Sequence, residues 1–388
     1  MYTITDAQVV RTIESYCRTW RIFLTDADTG AAWFGESVMA ADSSVQSVTG
    51  DDIELGAVCS GSWSMTVHDP AKTDFLGKRL KVAFYLKDFA GGPMTWEDLR
   101  NYTCAQLSRL TAVQIRTLKE IMGGQTIPMG EFTAVRSKRS GGMVELTLYD
   151  KLYFSDKAYT PSVRLPAMAS DIENDICTQL GIENGNVFTE SALLRDSRAA
   201  RLKDSGGLRL RVQGFDFTVN SIAGGTTMRQ MLGYIAGAMG QFGCIDRFGK
   251  YRRKWYGDPV KTLDPNTIDL PTISERPNTV TQVICHVSDS VTYASSWGED
   301  GRTIEFDCPY MTQVLFDSLC RRLQKAGLTW YTAEVDHRLG DPRFDLGDVL
   351  GYDDGEPKKI PITGLDYSYD GGLSAAVKAV GRSVEEEI

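Results

Sequence analysis

Segments in which apolar and polar residues alternate recur along most of the chain. Clear examples span residues 61–67, 79–86 and 143–149, where every second side chain is apolar. A repeat of two residues places those side chains on one face of an extended strand. Further strands are predicted at 19–24, 44–48, 127–135, 330–335, 348–352, 360–365 and 373–380. The sequence therefore predicts an α+β fold dominated by β-strands.

Other segments have the spacing of helices. A short helix begins after Thr5 and Asp6, and further helices are predicted at 170–180, 226–236 and 310–326. Gly181, directly after the second of these, is typical of a helix C-terminus. Apolar residues also recur at helical spacing between about 91 and 124, which predicts a helical insert between strands.

The 388-residue length indicates two or three domains. A first β domain is predicted at 1–155, and a mixed α/β middle domain at 156–280 ends in a linker containing Pro259, Pro265, Pro271 and Pro277. A second β domain is predicted at 281–388. Each end carries a helix among strands, which is the outline of a tandem duplication.

Composition excludes several classes of protein. The eight cysteines are widely scattered without a CxxC pair, which favours buried free thiols. The first twenty residues lack the pattern of a signal peptide, so we expect synthesis in a reducing cytosol. No window of eighteen apolar residues occurs, and no membrane span is expected. A net charge of -9 argues against a protein that holds DNA and suits a channel wall that repels it.

Motifs that carry chemistry are missing from the sequence. The three histidines, His68, His286 and His337, have no metal-binding spacing, and no nucleophile elbow or phosphate-binding loop occurs. The aspartates at 26–28, 345–348 and 353–354 lack the glutamate that closes a calcium loop, so turn formation explains them better. The glycine run 233–243 favours close packing of a helix on a sheet. No catalytic, cofactor-binding or metal-binding residue is predicted, and no cofactor.

Basic residues cluster at 136–139, 195–203 and 250–255, in places beside aromatic residues. That arrangement is also found on faces that bind single-stranded nucleic acid. In a chain of net charge -9, solvated hairpin faces or contacts with acidic neighbours are the favoured interpretation. Sequence-specific binding to nucleic acid is not expected.

Several segments in this order resemble the phage tail hub family, which includes baseplate hub, prophage endopeptidase tail and tail-associated proteins of long-tailed phages and phage-derived injection systems. They are TDAQVVRTIESYCRTWRIFL, DDIELGAVCSGSWSMTV, GKRLKVAFYL, IPMGEFTAVRSKRSGGMVELTLYDKLYF, TMRQMLGYIAGAMGQFGCIDRFGKYRRKW and RFDLGDVLGY. Together they span most of the chain.

The resemblance implies two related β-barrel-like hub domains that flank the mixed middle domain. Three subunits would then place six barrels in a ring that matches a hexameric tail tube and lets DNA or effectors pass. Implied partners are the chain itself as a homotrimer, a distal tail or tube-end protein, the tape measure protein, and a central spike or tail fibre. The implied location is the virion tail, assembled in the bacterial host cytoplasm.

Two alternatives stay open beside a structural, non-enzymatic hub. The first is a tail-tip peptidoglycan hydrolase or endopeptidase, although the sequence carries no recognisable cell-wall hydrolase domain. The second is a tail protein that binds carbohydrate on the host surface. Its candidate contact residues are the aromatic side chains Trp33, Trp96, Trp255, Trp297 and Trp330.

Overall fold

The computed structural model describes residues 1–5, 7–14, 19–34, 37–48, 52–86, 126–186, 216–265, 268–269, 271–299, 301–327, 329–337 and 340–381. The predicted helical insert at 91–124, the basic cluster at 195–203 and Trp96 lie outside these residues. The described helices are α1 (Ala7–Glu14), α2 (Ala169–Leu180), α3 (Met228–Ala238) and α4 (Gln313–Ala326). Each matches a helix that the sequence predicts to within a few residues.

Strands make up most of the described secondary structure, which confirms the β-dominated fold class. They are β1 (Trp20–Asp26), β2 (Ala32–Phe34), β3 (Val38–Gln46), β4 (Val58–Cys59), β5 (Ser62–His68), β6 (Arg79–Leu86), β7 (Thr126–Ser140), β8 (Met143–Tyr149), β9 (Ala167–Met168), β10 (Glu183–Asn184), β11 (Thr218–Val219), β12 (Phe242–Ile245), β13 (Lys250–Lys254), β14 (Lys261–Thr262), β15 (Thr272–Ile273), β16 (Asn278–Ser288), β17 (Val291–Ser296), β18 (Arg302–Asp307), β19 (Thr329–Trp330), β20 (Ala333–His337), β21 (Val349–Asp353), β22 (Pro357–Pro361), β23 (Gly364–Tyr369) and β24 (Leu373–Ala379). A short 3-10 helix at Lys151–Ser155 follows β8.

The largest sheet joins the two ends of the chain. Its eleven strands run in the order β15-β20-β24-β23-β3-β5-β8-β7-β6-β1-β2. The link is the antiparallel pair β3–β23, in register from Ala41 opposite Tyr369 to Gln46 opposite Gly364. This pairing fixes strands more than three hundred residues apart in one continuous ladder.

The predicted closure of each terminal domain into a barrel is not confirmed. Among the described residues the outermost strands of the large sheet, β15 and β2, do not pair with each other, and the sheet stays open. The physical reason lies in β3 and β23, because each uses one of its edges to pair with the other. The ladder therefore continues from one terminal region into the other.

The remaining strands form four smaller sheets among the described residues. They are β10-β13-β12-β4, β9-β11, β14-β21-β22 and β17-β16-β18, with β19 also paired to β16. No individual strand is predicted from the sequence between residues 278 and 307, where β16, β17 and β18 form. The predicted boundaries near residues 155 and 280 stay a prediction.

Two hydrophobic cores hold these layers together. The sheet core lies on the large sheet and includes Trp20, Trp63, Phe84, Leu146 and Tyr367. The helix core packs α2, α3 and α4 against the smaller sheets and includes Ile172, Leu232, Ile235, Phe316 and Trp330. Residues on both sides of position 280 enter the helix core, so the middle of the chain and the segment after it share buried side chains.

The helix ends follow from local chemistry. Thr227 accepts a hydrogen bond from the backbone of Gln230, whose side chain accepts one from the backbone of Thr227, and this capping box begins α3. Gly181 ends α2 with φ 65°, a conformation that favours glycine. Both ends agree with the sequence prediction.

The glycine run of α3 serves close packing, as predicted. A Cβ atom on Gly233 would lie 2.7 Å from the backbone oxygen of Gly56, in the loop before β4. A Cβ on Gly237, one turn later, would lie 3.0 Å from the ring of Phe306. The helix can therefore approach the loop and β18 only because these positions carry no side chain.

Replacing Gly233 with alanine should destabilise the protein, because the new methyl group meets backbone rather than a movable side chain. We expect the G233A variant to lose about 2 kcal/mol of unfolding free energy in urea denaturation. The matched control is Gly257→Ala, where a Cβ meets nothing within 4 Å. The control should change stability by less than about 0.5 kcal/mol. Equal stability of the two variants would contradict this account of the glycine run.

Candidate functional site

The loop between β20 and β21 lies where the two hydrophobic cores meet. We call residues 341–348, DPRFDLGD, the acidic loop; they form part of the RFDLGDVLGY segment. Phe344 belongs to the sheet core, whereas Leu346 belongs to the helix core. The acidic loop therefore contacts both cores within three residues.

Arg247 binds the acidic loop from the turn between β12 and β13. Its guanidinium donates to the backbone oxygens of Pro342, Arg343 and Phe344 at 3.1, 3.2 and 3.1 Å. It also donates to the carboxylate of Asp345 at 2.6 Å. A guanidinium has five N–H donors in a fixed plane, so one buried side chain can hold three successive carbonyls and a carboxylate.

Asp341, at the start of the acidic loop, is fully buried between two cations. Its carboxylate accepts from Arg343 at 2.7 Å and from Lys261 of β14 at 3.0 Å. Burial alone would raise the pKa of Asp341, but Arg343 and Lys261 outweigh it and hold the pKa well below its ordinary value. The hydroxyl of Tyr367 donates to the Asp341 backbone oxygen at 2.9 Å, which ties the loop to β23.

The end of the acidic loop is held by further charges. Asp348 accepts from the amino group of Met1 and, at 2.8 Å, from the backbone of Asp345. Lys254 donates to the backbone oxygen of Leu346 at 3.2 Å. Burial would raise the pKa of Asp345, but the charges of Arg247 and Lys254 lower it. The acidic loop is thus negative, and the elements around it supply the balancing cations.

Asp150 lies in the same region, and its hydrogen-bond donors among the described residues are neutral. Its carboxylate accepts from Ser60 Oγ at 2.9 Å, from the backbone of Gly61 at 2.6 Å and from the backbone of Leu152 at 2.9 Å. Burial nevertheless raises the pKa of Asp150 to about 6, because these neutral donors offset only part of the lost hydration.

A cavity of about 90 Å³ opens beside Asp150 at the junction of the cores. Cys59 and Cys244, neighbours across the parallel pair β4–β12, line it together with Arg247 and Lys254. Burial raises the pKa of Cys244 to about 11 and that of Cys59 well above its ordinary value. Both thiols are therefore protonated at neutral pH, and a protonated thiol is a poor nucleophile.

The aspartates considered for calcium are engaged otherwise. Asp26 binds Lys78 at 2.8 Å and accepts from the backbone of Thr29 at 3.0 Å, which is a turn contact. Asp28 pairs with Arg79. No cluster of three or more possible metal ligands occurs among the residues that the structure describes. The turn interpretation of Asp26 is confirmed.

The basic clusters form ion pairs within the chain. In β13, Lys250 pairs with Glu183 at 2.5 Å and Arg252 with Asp246 at 3.1 Å. Arg253 pairs with the buried Glu173 at 2.9 Å. Arg139 in the 136–139 cluster binds Asp69 at 2.8 Å. These cations balance carboxylates of their own chain, and contacts with acidic neighbouring subunits stay a prediction.

The histidines and tryptophans are dispersed. His337 is buried beside Phe344, with ring centroids 6.1 Å apart, and His286 bridges Glu305 at 2.5 Å and Thr292 at 3.2 Å on an exposed sheet face. Trp33 and Trp330 are buried, so they offer no surface to a sugar.

None of the helices in the described ranges has the length and apolar character needed to span a membrane.

Sequence reasoning did not assign the acidic loop a site, although it identified the RFDLGDVLGY segment. Arg247 was predicted only as part of a hairpin, without a role of its own. The available signal was the density of carboxylates at 341–348, which needs nearby cations if the loop is buried.

Two solved structures share this fold over almost the whole chain. The tail protein from Neisseria meningitidis MC58 superposes with a TM-score of 0.52 at 12% identity, covering 94% of this chain and 97% of that one. The 43 kDa tail protein of prophage MuSo2 from Shewanella oneidensis gives a TM-score of 0.50 at 13% identity, covering 93% and 98%. No protein-family model and no curated protein matches the sequence. The tail-protein resemblance seen in the sequence is confirmed at the level of the fold.

Removing the guanidinium of Arg247 should weaken the junction between the cores. We expect Arg247→Met to lower the free energy of unfolding by about 3 kcal/mol, because Asp345 and three loop carbonyls lose their donor. The control is Lys359→Met, which breaks an ion pair with Asp258 whose side chains are 49% and 96% exposed. That control should cost less than about 0.5 kcal/mol in the same denaturant titration. Similar losses in both variants would show that Arg247 has no special role.

Asp150 should make stability fall as the pH rises. Its folded pKa of about 6 lies above the ordinary 3.8, so its contribution is full below pH 3.8 and is lost as the pH rises through 6. The loss is on the order of 3 kcal/mol. Denaturant titrations from pH 4 to 8 should show that step in the wild type and in Asp258→Asn, but not in Asp150→Asn. A step of equal size in Asp150→Asn would rule out this carboxyl as its source.

Proposed function

We propose that the chain is a structural hub subunit of a phage tail or a related injection system. Three copies would form a pseudo-hexameric ring that connects the end of the tail tube to the central spike or fibre and lets DNA or effectors pass. The observation that carries the proposal is the fold shared with two tail proteins over at least 93% of this chain and 97% of theirs. Because the likeness extends over both whole chains, it supports a role for the entire fold.

The arrangement of the large sheet supports a rigid connector. Strands from both terminal regions lie in one ladder through β3 and β23, so the two ends of the chain cannot move independently without breaking that pair. In the proposed ring, each of the predicted terminal domains 1–155 and 281–388 would supply one of six similar lobes. The acidic loop would hold the middle of the chain at a fixed angle to them.

The chemistry of the junction supports a role without turnover. Its cysteines are protonated, and the acidic-loop carboxylates are neutralised by Arg247, Lys254 and Lys261. A reacting group would need an accessible nucleophile or a base poised near neutral pH. Burial raises the pKa of Asp150 to about 6, but its carboxylate is buried behind its own donors. We therefore propose that the protein is not an enzyme.

The proposed partners are those of a tail hub. Beside two further copies of the chain, they are a distal tail or tube-end protein, the tape measure protein, and a central spike or tail fibre. The proposed location is the virion tail, with assembly in the host cytoplasm. The net charge of -9 supports a wall past which DNA slides without sticking.

Electron microscopy combined with native mass measurement tests this proposal. The purified chain, alone or mixed with a tail tube-end protein, should give a trimer with six similar lobes around a pore. A monomer without a ring under all mixing conditions would refute the hub. Incubation with purified peptidoglycan should release no soluble fragments, whereas fragment release abolished by a point substitution would establish the hydrolase instead.

A further inference from the structure

Strand β17 lies at the edge of the four-stranded sheet in which β16 pairs with β17, β18 and β19. It pairs antiparallel with β16, from Ser296 opposite Gln282 to Thr292 opposite His286. No strand within the described ranges pairs with its other side. A strand in this position presents a row of main-chain donors and acceptors to whatever lies beside it.

The register shows which main-chain groups point outward. The amide of Trp297 donates to the backbone oxygen of Thr281 at 2.8 Å, and these two residues are direct partners in the register. Hydrogen-bonded and non-hydrogen-bonded pairs alternate along an antiparallel ladder. Tyr293 and Ser295 therefore bond to β16, whereas the N–H and C=O groups of three residues point away from it. Those residues are Thr292, Ala294 and Ser296.

Strand β17 has none of the usual protections of an edge strand. Its sequence, VTYASS, contains no charge, proline or glycine. The β-bulge in this pair falls between His286 and Ser288, next to the turn and away from the outward-pointing groups. The strand is also held in place, because the Tyr293 ring packs on Phe316 of α4 with centroids 5.7 Å apart. Proteins normally blunt such an edge with lysine, proline or a bulge.

The charges at the ends of β17 indicate what kind of strand fits. Exposed carboxylates flank it, with Asp289 before the strand and Glu299 after it. If two copies paired antiparallel about Ala294, Asp289 of one strand would lie beside Glu299 of the other at both ends. Like charges this close disfavour pairing with a second copy. A strand with basic residues at its ends would meet opposite charges instead.

We propose that β17 is a strand-addition site for an extended segment of a partner protein, uncharged over about six residues and flanked by lysine or arginine. The segment would add antiparallel to β17 and bond to Thr292, Ala294 and Ser296, with its basic ends near Asp289 and Glu299. Main-chain bonds supply affinity in this mode of recognition, and the flanking charges supply direction. The inference rests on the edge itself and holds whether or not the chain is a tail hub.

The first test measures binding of a synthetic peptide of alternating threonine and valine with two lysines at each end. The Ala294→Pro variant removes an outward N–H and leaves the ladder to β16 intact, since the amide of residue 294 does not bond to β16. We expect it to bind the peptide about ten-fold more weakly than the wild type. The matched Ala294→Ser variant keeps the N–H and should bind as the wild type does.

A second variant tests the proposal independently, in case the proline variant misfolds. Replacing Asp289 and Glu299 together with lysine leaves the strand unchanged and should weaken binding of the lysine-flanked peptide about ten-fold. The control is Asp258→Lys, at an exposed position that contacts Lys359 elsewhere on the surface, and it should have no effect on binding. A peptide with glutamates in place of its lysines should show the reverse preference.

Residue-resolved hydrogen exchange decides the register. In the free protein the amides of Tyr293 and Ser295 should exchange slowly, and those of Thr292, Ala294 and Ser296 quickly. Saturating peptide should slow the fast set only. Slow exchange of all five amides in the free protein would overturn the proposal, because the edge would already be covered. Wild-type binding by both Ala294→Pro and the double lysine variant would overturn it as well.

Discussion

The burial of a negatively charged loop is the constraint on which the junction of this fold depends. Asp341 and Asp345 lie between two hydrophobic cores, where an uncompensated carboxylate would cost several kcal/mol. Arg247 in the β12–β13 turn and Lys261 in β14 bind these carboxylates and supply the compensating charge. The same contacts fix the hairpin β12–β13 and the strand β14 relative to the large sheet. The contacts that neutralise the buried carboxylates therefore also set how the two cores lie relative to each other.

The large sheet shows why parts of this fold can be predicted from sequence and others cannot. Alternating residues in β5 and β8 follow from burial of one face, a property of each strand alone. The pairing of β3 with β23 depends instead on which distant edge is free when the chain collapses. No local pattern encodes that choice, so the sequence predicts strands but not an open sheet shared by both ends.

The same distinction applies to the candidate site. The capping box at Thr227 and the glycine contact at Gly233 are predictable because their partners are close in sequence or because glycine has few other uses in a helix. The role of Arg247 is not, since its partners lie about a hundred residues away and its neighbours in sequence are those of an ordinary turn. Strand β17 was missed for another reason. Its serine and threonine content hides the two-residue repeat that marks strands with one apolar face.

Internal pairing of cations also changes how the net charge should be interpreted. The side chains of Arg247 and Arg253 are only 5% exposed, and each forms an ion pair, with Asp345 and Glu173 respectively. Their positive charges are therefore not on the surface. Asp289 and Glu299 are instead exposed. Across the described residues more carboxylates than cations are buried, so the surface there is less acidic than the residue counts alone indicate. The uncharged edge of β17, flanked by Asp289 and Glu299, can be approached by a strand whose own ends are basic.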